Sequence, residues 1–198
     1  MTFSTLRIAF AILALVVASP AWAQAAKVAA KPTPTPKDAG APKPAPPAAT
    51  TNQQPTSLGR FGDWQAFQLG TAKTKSCFAV SSPKERKPEG LNRDPATFFV
   101  THRPGEGVRN EISLIAGFPM KEGGDASITI GKVSYSLYTK EANAWIKNAA
   151  DEGTAVATMK KGKDVVFDGA SRRGNKTTDR YSLTGFSEAL AAISKACP

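Results

Sequence analysis

Between residues 61 and 183 the apolar positions fall in short runs, many alternating with polar residues and most bounded by Gly, Pro, Asn or Asp. In 133–138, Val133, Tyr135 and Leu137 alternate with Ser134 and Ser136, so one face is apolar and the other small and polar, the pattern of a half-buried antiparallel strand. The same reading predicts strands over 61–67, 77–80, 97–102, 111–116, 127–130, 144–147, 164–168 and 180–183. Gly131-Lys132 lies between two of these runs, and glycine at the first position of a two-residue connection predicts a type II′ hairpin that pairs Ile130 with Val133. Phe98-Phe99-Val100 is apolar without alternation, which predicts a central strand covered on both faces.

Two stretches carry the helical period instead. Phe186, Leu190, Ile193 and Cys197 share one helix face, with Glu188 in the first turn and Lys195 in the last, both placed favourably for the macrodipole. A weaker helix is predicted over 151–161, interrupted by Gly153 and ending at Gly162 as a C-cap. Nine strands and two short helices, one of them C-terminal, make a mainly β chain: a two-sheet sandwich or a flattened barrel with a helix across it.

The N-terminal quarter breaks this pattern. Residues 1–23 begin with a short segment holding Arg7, continue in an apolar run over 8–18 and end in Ala21-Trp22-Ala23, the order of a secretory signal peptide cleaved before Gln24. As a helix that run would rise only about 16 Å, too short for a hydrocarbon layer of roughly 30 Å, so no transmembrane segment is expected in the mature chain. Residues 24–57 contain eight prolines and no aromatic residue, and predict an extended, disordered linker. Lys27, Lys31, Lys37 and Lys43 against Asp38 make it basic. The domain is then expected over 58–198, long enough for one sizeable core.

The full chain has 26 Lys and Arg against 16 Asp and Glu, a net charge of +10. Export removes it from the genome, and no basic helix or RNA-binding strand motif accompanies the charge, so nucleic acid is not an expected partner. One histidine and two cysteines leave little material for a metal centre or a catalytic triad, and neither a metal nor another cofactor is expected. Cys77 and Cys197 are an even pair in an exported chain and predict a disulfide, with free or intermolecular thiols as the alternative. His102, at a strand end, reads as a surface or hydrogen-bonding residue. No catalytic residues are assigned. Asp63, Asp164, Asp168 and Asp179 are carboxylates without a spacing that fixes a hydrolytic site, and the Gly169–Gly174 segment does not have the spacing of a nucleophile elbow.

The most charged local feature is the loop 172–180. Arg172, Arg173, Lys176 and Arg180, with Asp179 as the nearby counter-charge, are candidate anion-binding residues for a phosphate or a sulfated sugar, unless the segment is simply a solvated hairpin.

Several short segments, in this order, carry a resemblance: Phe61-Gly62-Asp63-Trp64, Cys77-Phe78-Ala79-Val80, Asn110-Glu111-Ile112-Ser113, Ala144-Trp145-Ile146-Lys147, Met159-Lys160-Lys161-Gly162, and Tyr181-Ser182-Leu183-Thr184-Gly185-Phe186 followed by Ala189-Leu190. Together they resemble the invasion-associated locus B family of exported proteobacterial proteins. The resemblance implies an immunoglobulin-like two-sheet sandwich, a periplasmic or outer-envelope location, an association with host-cell invasion in pathogenic members, and no catalytic residues. Cysteines that many members carry after the Gly-Asp-Trp opening and mid-chain are missing here, so only Cys77 and Cys197 remain to pair.

The expected function is that of an exported, non-enzymatic envelope protein. Its domain would bind an envelope protein, an anionic glycan or lipid, or a host-cell surface component. The alternatives are a structural role in envelope stress resistance and a periplasmic hydrolase.

Overall fold

The computed structural model describes residues 54–198; the expected signal peptide and nearly all of the linker lie outside the described residues. Eleven strands form: β1 (Thr56–Phe61), β2 (Trp64–Leu69), β3 (Ser76–Ser81), β4 (Glu85–Lys87), β5 (Thr97–Arg103), β6 (Val108–Ile115), β7 (Ala126–Ile130), β8 (Val133–Lys140), β9 (Asn143–Ile146), β10 (Asp164–Ala170) and β11 (Lys176–Ser182). Two helices accompany them, α1 (Glu152–Met159) and α2 (Phe186–Ala196). Among the described residues the chain is mainly β, with two short α-helices and one of them C-terminal, as the periodicity predicts.

All strands pair antiparallel in one continuous sheet that runs from β1 through β2, β3, β5, β6, β9, β8, β7, β10 and β11 to β4. Its far-separated strands meet over a common core. Phe98 of β5 lies 5.3 Å from Tyr181 of β11 between ring centroids, and Trp64 of β2 donates its Nε1–H to the Ser182 carbonyl (2.9 Å). The arrangement is compatible with two layers, but hydrogen bonding makes those layers two parts of one curled sheet. Helix α2 packs over β1, β2 and β3, placing Phe186 4.9 Å from Trp64 between ring centroids.

Register follows from alternation and turn chemistry. Ile130 pairs with Val133 across Gly131-Lys132, and Gly131 alone in that turn takes a positive φ (61°), as the hairpin reading requires. Tyr135 and Leu137 point inward, but Val133, at the mouth of the hairpin, is 44% exposed. The strand predicted over 61–67 is a hairpin instead. Gly62-Asp63 turns the chain and pairs Phe61 with Trp64. β1 also takes in Thr56 and Ser57, two residues inside the stretch assigned to the linker, because they find partners in Gln68 and Phe67. The segment 85–87, which reads as part of a loop, is the short edge strand β4, held by register against β11. Gly162 is not a left-handed cap: a Cβ there would lie 2.8 Å from Ile130 Cγ2 and 3.0 Å from Leu183 Cδ1, so close packing is what requires glycine.

The two ends of the domain lock together. Asp63 N–H donates to the Thr184 carbonyl (3.0 Å), and a Cβ on Gly185 would sit 2.0 Å from the Phe61 carbonyl oxygen at a φ of 84°. A Gly185→Ala variant is therefore expected to lose more than about 1 kcal/mol of stability, since strain and a backbone clash act together. Denaturant unfolding of the two proteins measures it, and an unchanged midpoint contradicts the packing described.

Cys77 and Cys197 are joined by a disulfide, with Cα atoms 5.9 Å apart and both side chains fully buried. The bond ties the inner face of β3 to the residue that caps α2.

Candidate functional site

The β10–β11 hairpin separates the four basic residues expected to act together. Arg172 and Arg173 sit exposed in the turn, and neither forms an ion pair among the described residues. Lys176 begins β11 and lines a different hollow, shared with Lys121, Asp125 and Asp168. Arg180 is four residues further along the strand, roughly 13 Å away, and pairs with Asp164 and Glu85. The expected counter-charge is also elsewhere. Alternation turns Asp179 inward, where it is 0% exposed and meets Arg86 and Arg93. Arg180 is thus already neutralised, and Lys176 is directed to a hollow that contains acids.

Arg93 is the residue that joins Arg172 and Arg173. The three line a hollow of about 560 Å³ together with Leu91, Asn92, Phe118, Pro119, Asn175 and other polar groups, and no Asp or Glu lines it. The Arg93 side chain is only 7% exposed and donates Nη1–H to Asp179 Oδ1 (3.4 Å) and Nη2–H to the Pro88 carbonyl (3.0 Å). Arg86 donates Nε–H to Asp179 Oδ2 (3.1 Å), Nη1–H to the Asp94 carbonyl (2.9 Å) and Nη2–H to the Ala116 carbonyl (2.7 Å). Two guanidiniums therefore share one carboxylate, and neither has a second within ion-pair range among the described residues. Burial pushes the Asp179 carboxyl above its ordinary range, against the opposing charges of Arg86 and Arg93. The surplus positive charge stands next to the two unpaired arginines of the turn.

The walls are fixed by backbone bonds. Asp94 N–H donates to the Gly117 carbonyl (3.0 Å), Arg172 N–H to the Pro119 carbonyl (2.9 Å) and Lys121 N–H to the Ala170 carbonyl (3.0 Å), while Gly174 N–H closes the turn onto the Ser171 carbonyl (2.8 Å). Sequence reasoning located Arg172 and Arg173 but missed Arg93, because 84–95 reads as a charged, proline-bearing loop whose placement depends on the long-range Asp179 contact.

The other candidate groups are engaged. Asp63 pairs with Lys84, Asp164 with Arg180, and Asp168 accepts from the Thr178 hydroxyl. Among the described residues no group of three or more His, Cys, Asp or Glu is arranged to hold a metal ion. Arg103 is clamped by Glu106 and, through both Nη atoms at 2.8 Å, by Glu111.

His102 is a hydrogen-bonding residue, as one of its two readings has it, but it is not on the surface. It is 2% exposed, opposite Cys77 in the β3–β5 register, and its Nε2–H donates to Asn110 Oδ1 (3.2 Å). Burial holds the imidazole below its ordinary range; the Asn110 bond opposes this, and the Arg109 charge adds to it. Unfolded chain takes up a proton near pH 6.5 while the buried ring still resists it, so stability falls as pH drops below about 6.5. The chain has a single histidine, so one imidazole resonance reports it. Its titration midpoint is expected below 6.5, and a His102→Gln variant should lose this part of the acid dependence. An ordinary midpoint would contradict the burial.

A family model described as Invasion associated locus B (IalB) protein matches residues 64–194. No curated protein and no solved structure matches the chain. Among the described residues no helix is long and apolar enough to cross a membrane.

Proposed function

The chain belongs to the Invasion associated locus B (IalB) family, and from that premise we propose that it is an exported, non-enzymatic cell-envelope protein that binds an anionic envelope or host-surface component. The observation that carries the binding reading is the hollow at the β10–β11 hairpin, where Arg93, Arg172 and Arg173 gather without an acidic residue in the lining. Arginine suits this task because its planar fork matches carboxylate, sulfate and phosphate oxygens. The lysines of the proline-rich stretch 24–57 add a weak attraction of their own to anionic polymers in this reading. A role in invasion is consistent with the family's description and follows if the bound component belongs to a host cell.

Retention of the mature chain on immobilised heparin tests the reading. The double variant Arg172→Glu, Arg173→Glu is expected to elute at clearly lower salt than the parent, because exposed charges act over about 8 Å at physiological ionic strength and reversal turns attraction into repulsion. Both side chains are exposed, so the fold should remain. Equal elution would assign the retention to the linker lysines and the remaining basic surface and remove the hollow from the account.

A further inference from the structure

The hollow is not lined by charge alone. Leu91 is 47% exposed and lines it beside Phe118 and Pro119, so an apolar wall and unpaired guanidiniums border one concavity. The leucine is not on a free flap. Its loop is tied at Pro88 by Arg93, at Asp94 by Arg86 and the Gly117 carbonyl, so an apolar side chain is held facing solvent at a fixed place. A purely polar polyanion would satisfy the arginines and leave Leu91 and Phe118 against water. An anion bearing an acyl chain would use both.

We propose that the ligand of this hollow is an anionic lipid, its phosphate or carboxylate headgroup meeting Arg172 and Arg173 and the first part of its chain covering Leu91, Phe118 and Pro119. This rests on the anion-binding reading above and narrows it to one chemical class. Asn92 and Asn175, in the same lining, supply donors for the headgroup's remaining oxygens. The hollow is open to solvent and small, so it accepts a headgroup and a short stretch of chain rather than a whole lipid.

Sedimentation of the mature chain with vesicles of phosphatidylglycerol in phosphatidylcholine tests it, run beside heparin retention. The parent is expected to bind the anionic vesicles and not pure phosphatidylcholine. Leu91→Ser should weaken vesicle binding about tenfold, the scale of an exposed leucine losing its burial on binding, while its heparin elution stays with the parent. Leu91→Trp, which keeps an apolar side chain, should bind vesicles and shift its emission to the blue. The lipid proposal is overturned if Leu91→Ser and the parent bind vesicles equally, or if the parent fails to bind them. If the Arg172→Glu, Arg173→Glu variant keeps full affinity for both vesicles and heparin, the anion-binding reading itself fails.

Discussion

Replacing Cys77 and Cys197 together with alanine is expected to lower unfolding free energy by about 4 kcal/mol. The two residues are 120 apart in sequence, and a cross-link over that span removes about 4–5 kcal/mol of unfolded-state chain entropy on the loop-closure model. The folded state loses little, because α2 keeps its own contacts: Phe186, Ala189, Leu190 and Ile193 stay buried against the sheet. Parent protein in reductant should unfold at the same denaturant concentration as the double variant in either redox condition. The unfolding slope should rise slightly in both, since the uncrosslinked chain exposes more surface. A double variant as stable as the oxidised parent would mean that the bond constrains nothing.

Asp179→Ala is expected to cost about 3–5 kcal/mol, for a different reason. The carboxylate is completely buried, and deleting it leaves Arg86 and Arg93 facing one another without a counter-charge in the interior. The intact cluster is not thereby a large net stabiliser, since burial of the carboxyl already works against its charged form. Replacing Asp179, Arg86 and Arg93 together with Leu, Met and Met should therefore recover much of the loss. In the single variant the 84–95 loop should become a site of proteolysis, because both arginines that fasten it lose the carboxylate they share and keep only their carbonyl partners. If the single and triple variants are equally destabilised, packing rather than uncompensated charge is responsible.

What could be read in the sequence is what local chemistry fixes. Alternation in 133–138 and glycine at 131 set a register that the fold reproduces, and the period of Phe186, Leu190 and Ile193 located α2. The segments that carried the family resemblance have a physical reason to be kept together: Phe61-Gly62-Asp63-Trp64 and Ser182 to Phe186 touch, through Trp64 Nε1–H to the Ser182 carbonyl and the close approach of Gly185 to Phe61. Gly62-Asp63 was a turn signal inside an apolar run, and reading past it merged two strands. β4 was invisible because Glu85-Arg86-Lys87 has no apolar period; β11 alone makes it a strand.

The candidate site was legible only in part, for the same reason. Arg172 and Arg173 stand in a two-stranded turn, where neighbours in sequence are neighbours in space. Arg93 reaches them only because Asp179, expected as the counter-charge of the basic loop, points inward on the alternation of β11. Lys176 and Arg180 share the outward face of that strand, but the acids that pair with Arg180, Asp164 and Glu85, come from the neighbouring strands β10 and β4.

The central claim is that this one hollow, rather than basic charge in general, receives the anion. Backbone amide shifts of the isotope-labelled mature chain, followed while a short-chain phosphatidylglycerol below its micelle concentration is added, test it most directly. The account predicts saturable changes confined to residues 91–93, 118 and 171–177, absent in the Arg172→Glu, Arg173→Glu variant. Changes spread over the lysines of 27–43 and the remaining basic surface, or none at all, would contradict it.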